Sequence, residues 1–150
     1  MSEKIVNDLL REIGPKPIYT IRPDNSVRDA ARVMADLNVG ALAVVDEDGK
    51  MVGIISERDC SQKVAAFDVN AYTTRVSRIM TKDVKTVSRN TNLKECEDLM
   101  REHGIRHLPV MENEELVAII SIRDLLVSTR EELENLVHHL KTFIGVGSPG

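Results

Sequence analysis

Tryptophan is absent from the 150 residues, and two tyrosines and two phenylalanines make up the whole aromatic complement. So few rings cannot build a stacking platform for single-stranded nucleic acid. Charge of one sign is scarce as well. Twenty Lys and Arg stand against 24 Asp and Glu, for a net charge of −4, with no basic run or stripe. Nucleic acid is therefore not expected as a partner. The longest apolar runs are five residues, far short of the roughly 20 needed to span a bilayer, so no membrane partner is expected. Met1-Ser2-Glu3-Lys4 leads into an amphipathic stretch and not an apolar signal core, so no export signal is expected. Only two cysteines occur, Cys60 and Cys96, outside any Cys-x-x-Cys or Cys/His spacing. They read as reduced thiols of a cytoplasmic protein.

Catalytic and metal-binding sets are missing too. No Ser/His/Asp or Cys/His constellation, pair of working carboxylates or Gly-rich phosphate loop is evident, so the chain does not read as an enzyme. His103 and His107 are four apart with a helix end expected between them. His138 and His139 are adjacent and point to different faces. No metal site is expected. Glu131, Glu132 and Glu134 read as a solvated helix face.

What is present is the balance of a folded chain, 42% hydrophobic and 29% charged, and an internal repeat. Ile21-Arg22-Pro23-Asp24-Asn25-Ser26-Val27 aligns with Val87-Ser88-Arg89-Asn90-Thr91-Asn92-Leu93 at an offset of 66. The offset holds through Leu42-Ala43-Val44 over Leu108-Pro109-Val110. It becomes 65 where Ile54-Ile55-Ser56-Glu57-Arg58-Asp59 lies over Ile119-Ile120-Ser121-Ile122-Arg123-Asp124. Each copy predicts the order β-α-β-β-α. A short strand (18–21, then 84–87) precedes an amphipathic helix with one apolar face, Val27, Ala30, Ala31, Met34 and Leu37 in the first copy and Leu93, Cys96, Leu99 and Met100 in the second. Ser26 with Asp29, and Asn92 with Glu95, are the expected capping pairs. Asn38 and Gly104 suit left-handed helix ends. Two apolar runs about a polar turn follow (42–45 and 51–55, then 108–111 and 116–120), a hairpin signal. A last helix begins at Ser56 and at Ser121. One unit of about 60 residues buries little surface alone, so the fold class expected is α/β (α+β), with the two repeats packed sheet to sheet about a pseudo-twofold axis. A helix with Ile5, Leu9, Leu10 and Ile13 on one face precedes the repeats and ends at Gly14-Pro15. A longer one through Leu133, Leu136, Val137, Leu140 and Phe143 follows them, and residues 145–150 read as a flexible tail. The expected division is 1–15 for the first helix, 16–75 for the first repeat and linker, 76–128 for the second repeat, and 129–150 for the C-terminal extension.

Four stretches carry a family resemblance: Val76-x-x-Ile79-Met80-Thr81; Gly104-Ile105-x-His107-Leu108-Pro109-Val110; Gly53-Ile54-Ile55-Ser56-x-x-Asp59; and its echo Ala118-Ile119-Ile120-Ser121-x-x-Asp124. Together they resemble the CBS domain family in its tandem-pair form, over roughly residues 16–127. The resemblance implies a regulatory module that senses an adenine nucleotide (AMP, ADP or ATP) or a related adenosyl compound in the cleft between the repeats. It requires no cofactor and commonly forms a homodimer. With no effector domain read in these residues, a separate effector protein is expected.

By that resemblance one cleft is served by Ser121, Arg123, Asp124, Arg106 and His107, with adenine near Ile18, Tyr19, Val39 and Gly40. The other is served by Ser56, Arg58 and Asp59, with adenine near Val84, Lys85 and Ile105. The chemistry is plausible on its own terms. A helix N-terminus offers N–H groups to a phosphate, and a first-turn carboxylate can accept from two ribose hydroxyls. Ser-x-x-Asp is equally a plain capping pair that needs no ligand. The alternative reading is therefore a scaffold or oligomerisation protein with vestigial clefts. Ala118 for Gly53, Ala43 for Pro109 and Asn38 for Gly104 are the departures between copies.

Overall fold

The computed structural model describes residues 3–144; the expected flexible tail, 145–150, lies outside the described residues. The chain is a mixed α/β fold with six helices and two small sheets among these residues. The elements in order are α1 (Val6–Ile13), β1 (Thr20–Ile21), α2 (Val27–Leu37), β2 (Ala41–Val45), β3 (Met51–Ser56), α3 (Glu57–Phe67), α4 (Val76–Ile79), α5 (Leu93–His103), β4 (His107–Glu112), β5 (Glu115–Ser121) and α6 (Ile122–Phe143).

Two compact units are formed from interleaved segments. One takes residues 17–86 together with the hairpin tip Pro109–Ile119. Its three-stranded sheet has the order β1-β2-β3. β1 pairs parallel to β2 (Thr20 with Ala43, Ile21 with Val44), and β2 pairs antiparallel to β3 (Leu42 with Ile55, Ala43 with Ile54). Ile21, Val27, Ala30, Met34, Leu42, Val44, Ile55, Val76 and Ile79 form its core. Of the expected face of α2, Ala31 and Leu37 fall outside that core and are exposed. Ser26 caps α2 by accepting the Asp29 N–H at 3.0 Å, and Asp29 accepts the Ser26 N–H at 3.2 Å. The helix ends on Asn38 at φ 54°. Asn tolerates this left-handed geometry better than most residues, because its short amide bonds locally.

The other unit gathers residues 3–16, 87–108 and 120–144. Here α6 packs on α1 and α5, with Val6, Leu9, Cys96, Met100, Leu108, Ile120 and Leu125 buried. Lys4 ties α1 to α6. Its ammonium reaches Glu12, Ser128 and Glu132. Burial alone would lower its pKa, but hydrogen bonds and charge from Glu12 and Glu132 outweigh that and raise it.

The repeat runs deeper than the 66-residue offset. Residues 4–7 run beside the start of α5 as residues 74–77 run beside the start of α2. Val27 N–H donates to Thr74 O (2.9 Å), Val76 N–H to Asn25 O (2.8 Å) and Ser77 N–H to Pro23 O (3.0 Å). Leu93 N–H donates to Lys4 O (3.0 Å), Val6 N–H to Thr91 O (2.8 Å) and Asn7 N–H to Arg89 O (2.8 Å). Val6 and Leu9 are buried as Val76 and Ile79 are. α1 is thus the counterpart of α4, at an offset of 70.

Two local expectations are corrected. Residues 84–87 form no strand; Val87 alone makes a single bridge. In the first copy Thr20 pairs with Ala43. The second copy has Pro109 at that place, and proline has no N–H to give a ladder. α5 also lacks the reciprocal Asn92–Glu95 cap. Asn92 Oδ1 accepts from Lys94 N–H at 2.7 Å. The planar amide of Asn closes on the second residue of the helix, where Ser closes on the third. Glu95 stays exposed.

Candidate functional site

Both Ser-x-x-Asp motifs sit where a strand runs straight into a helix, and both form reciprocal caps. At the β3–α3 junction, Ser56 Oγ accepts the Asp59 N–H at 3.1 Å and Asp59 Oδ2 accepts the Ser56 N–H at 3.0 Å. At the β5–α6 junction, Ser121 Oγ accepts the Asp124 N–H at 3.2 Å and Asp124 Oδ2 accepts the Ser121 N–H at 2.9 Å. Capping is therefore shown at both. It fixes each aspartate rigidly, since its rotamer is set by the helix it closes.

The first helical N–H is also taken in each case. Glu57 N–H donates to Gly40 O at 3.0 Å, and Ile122 N–H to Arg106 O at 2.8 Å. Two of the donors that would greet a phosphate at a helix N-terminus are thus already satisfied. Each helix N-terminus therefore has fewer N–H groups to offer a phosphate than the motif alone suggests. The cap uses Oδ2 of each aspartate and leaves Oδ1 for other partners.

That oxygen differs between the copies. Asp59 Oδ1 lies 3.0 Å from Lys63 Nζ, and the same ammonium donates to Ile79 O at 2.8 Å. Asp59 is held from both sides, with its side chain 14% exposed. Asp124 Oδ1 faces Lys16 Nζ at 4.0 Å, and that lysine side chain is 65% exposed. The Asp124 side chain is itself 18% exposed, much as Asp59 is, so the copies differ in the length of the pair and the exposure of its lysine. Sequence reading missed both lysines. Lys63 had a legible signal, its i+4 spacing from Asp59 on a helix; Lys16 had none.

The other expected site residues fall as follows. Arg58 and Arg123, second in their helices, are exposed. Arg106 is exposed and His107 half-buried at the start of β4. In the unit that holds the sheet, Ile18 is exposed, Tyr19 and Val39 pack on the core, and Gly40 is half-buried. In the same unit Val84 and Lys85 are half-buried, and Lys85 pairs with Asp83 at 3.6 Å. Ile105 belongs to the helical unit, its N–H bonded to Met100 O at 2.9 Å.

Beside β3 the chain leaving α4 approaches closely. Ile54 and Thr81 exchange backbone hydrogen bonds of 3.0 and 2.9 Å. A Cβ on Gly53 would lie 2.7 Å from Met80 Sδ and 2.9 Å from Thr81 O. Glycine at 53 is demanded by that contact. Both cysteines are free. Burial first, then neighbouring carboxylates, pushes each thiol up to about 11, which keeps them poor nucleophiles. Among the described residues no cluster of three or more His, Cys, Asp or Glu could hold a metal ion, and no helix is long and apolar enough to cross a membrane.

The CBS domain model matches residues 8–66 and 76–130. Among solved structures, the CBS-domain containing protein ATU1752 from Agrobacterium tumefaciens matches with a TM-score of 0.79 at 35% identity, covering 85% of this chain and 94% of that one. The CBS domain pair of protein MJ0100, in complex with 5′-methylthioadenosine and S-adenosyl-L-methionine, matches at 0.76 and 26% identity, covering 87% and 99%. The CBS domain protein PAE2072 from Pyrobaculum aerophilum, complexed with AMP, matches at 0.70 and 26% identity, covering 81% and 89%. With two matched copies and this degree of likeness to CBS proteins of similar length, the chain belongs to the CBS domain family.

Proposed function

We propose that the chain is a regulatory ligand-sensing module that binds an adenosine compound, with Asp124 at the β5–α6 junction as its ribose anchor. One observation carries the reading. Asp124 is rotamer-locked by the cap it makes through Oδ2, while among the described residues its Oδ1 meets a loose lysine at 4.0 Å. A fixed carboxylate with an accepting oxygen to spare suits a vicinal diol. The ligands of two similar structures support it. AMP, 5′-methylthioadenosine and S-adenosyl-L-methionine share adenine and ribose but differ in charge beyond the ribose. A site that grips the nucleoside fits that range better than one built on phosphate. Arg106, His107 and Arg123 then discriminate among substituents on the ribose.

The β3–α3 junction is the weaker candidate. A ribose there must displace Lys63 from Asp59 and from Ile79 O, exchanging two charge-assisted bonds for the new ones. The ligand-free, scaffold-like reading applies to that junction. The protein requires no cofactor, performs no catalysis, and passes its signal to a separate effector. Free, high-pKa thiols suit the cytoplasm as its place of action.

Calorimetry with AMP, ADP, ATP and 5′-methylthioadenosine tests this on wild type, Asp124→Asn and Asp59→Asn. Replacing the charged acceptor should weaken binding at least about tenfold for Asp124→Asn, as expected for a hydrogen bond to a charged group. Asp59→Asn should bind as wild type. Absence of heat with every adenosine compound at millimolar concentration would overturn the reading.

A further inference from the structure

One turn beyond each capping aspartate the copies differ, and the difference leaves Asp124 to another lysine. At the offset of 65, Lys63 corresponds to Ser128. Lys63 holds Asp59 Oδ1 at 3.0 Å and is itself anchored on Ile79 O at 2.8 Å. Ser128 is buried, 2% exposed, and its Oγ accepts from Lys4 Nζ at 3.2 Å. A hydroxyl so placed brings no charge to Asp124. The cation that Asp124 meets comes instead from Lys16, a residue of the same unit, at 4.0 Å. Lys16 stands in Pro15-Lys16-Pro17. Proline fixes its own φ and pushes the residue before it to extended backbone. The main chain at 16 is therefore stiff, whereas its side chain is 65% exposed. A flexible four-carbon stem with an ammonium at its tip can swing about a fixed root beside Asp124.

We infer that Lys16 is a specificity-determining residue of the Asp124 junction, selecting adenosine compounds that carry an anionic group on the 5′ carbon of the ribose. The inference rests on Asp124 as ribose anchor and adds to that reading the class of ligand. A diol that takes Asp124 Oδ1 separates the ammonium from its partner but leaves it rooted within reach of the ribose substituents. A phosphate there, with about two negative charges at pH 7, gives the ammonium a stronger acceptor than the carboxylate it lost. The thioether of 5′-methylthioadenosine offers it no charge. The sulfonium of S-adenosyl-L-methionine sets a like charge beside it, which is repulsive. Lys63 cannot serve Asp59 in this way, because to follow a ligand it must also leave Ile79 O.

Calorimetric titration of the full chain with AMP, 5′-methylthioadenosine and S-adenosyl-L-methionine tests it. Wild type should bind AMP most tightly and S-adenosyl-L-methionine most weakly. Lys16→Met should lower the ratio of AMP to 5′-methylthioadenosine affinity roughly threefold to tenfold, as for one charged pair at a wet surface. Lys16→Arg should keep the preference for AMP, and Lys16→Glu should bind S-adenosyl-L-methionine better than AMP. A ratio that Lys16→Met leaves unchanged, while Asp124→Asn still weakens every ligand, overturns the role of Lys16 and leaves the ribose anchor standing. A wild type that prefers 5′-methylthioadenosine to AMP overturns that role as well. A wild type that binds no adenosine compound overturns the anchor and this inference together.

Discussion

Gly53→Ala is a single-methyl change whose cost can be worked from the geometry. The new Cβ would meet Met80 Sδ at 2.7 Å and Thr81 O at 2.9 Å. The methionine can swing aside at little cost, because its side chain is flexible. The carbonyl cannot, because residues 54 and 81 are locked by two backbone hydrogen bonds of 3.0 and 2.9 Å. Relief means parting the two backbones, which weakens bonds worth about 1 kcal/mol each and loosens the packing of Ile79 and Ile55 behind them. Overpacking of this kind costs about 1–3 kcal/mol. A loss near 2–3 kcal/mol is therefore expected, read as a lower urea midpoint with an unchanged m-value, and as a fall in Tm of roughly 5–10 °C for a chain of this size. A loss under about 0.5 kcal/mol would refute the claim that this contact dictates glycine. The second copy carries Ala118 at the matching place. At the positions that correspond to Met80 and Thr81, namely Leu10 and Arg11, the chain is still helical in α1.

Three further outcomes are expected. Lys63→Met should release Asp59 Oδ1 and create a second adenosine site, seen as a rise in calorimetric stoichiometry; unchanged stoichiometry would mean that Lys63 is not what closes that junction. Cys60 and Cys96, pushed from an ordinary value of 9.0 to about 11, should react with a disulfide reagent at pH 8 roughly a hundredfold more slowly in the native protein than in urea, following thiolate fraction; because the folded thiols bind protons that the unfolded ones release, they cost stability as pH rises past about 9, so the urea midpoint should fall between pH 9 and 11. Glu114→Gly should stabilise by about 1 kcal/mol, since residues 113 and 114 turn the β4–β5 hairpin at φ 50° and 66° and Asn-Gly is the preferred pair for that turn; a lower Tm would contradict it.

Most of the local architecture was legible because the repeat wrote it twice. Hairpins, left-handed ends at Asn38 and Gly104, and the caps at Ser26, Ser56 and Ser121 follow from short-range chemistry that a pattern records directly. The strand at 84–87 was misread because its fate depends on Pro109, more than twenty residues away. The kinship of α1 with α4 was missed because only Val6-x-x-Leu9-Leu10 against Val76-x-x-Ile79-Met80 survives in the sequence, at an offset different from the main one. At the site, the motif revealed the aspartates but not their difference. That difference rests on which lysine reaches the outer oxygen, and whether it is anchored.

Titration of the protein with AMP to saturation, with stoichiometry fixed by independent concentration measurements of both, bears most directly on the inequality of Asp124 and Asp59. One equivalent per chain is expected, lost on Asp124→Asn and kept on Asp59→Asn. Two equivalents with similar affinity, or one that survives Asp124→Asn, would contradict it.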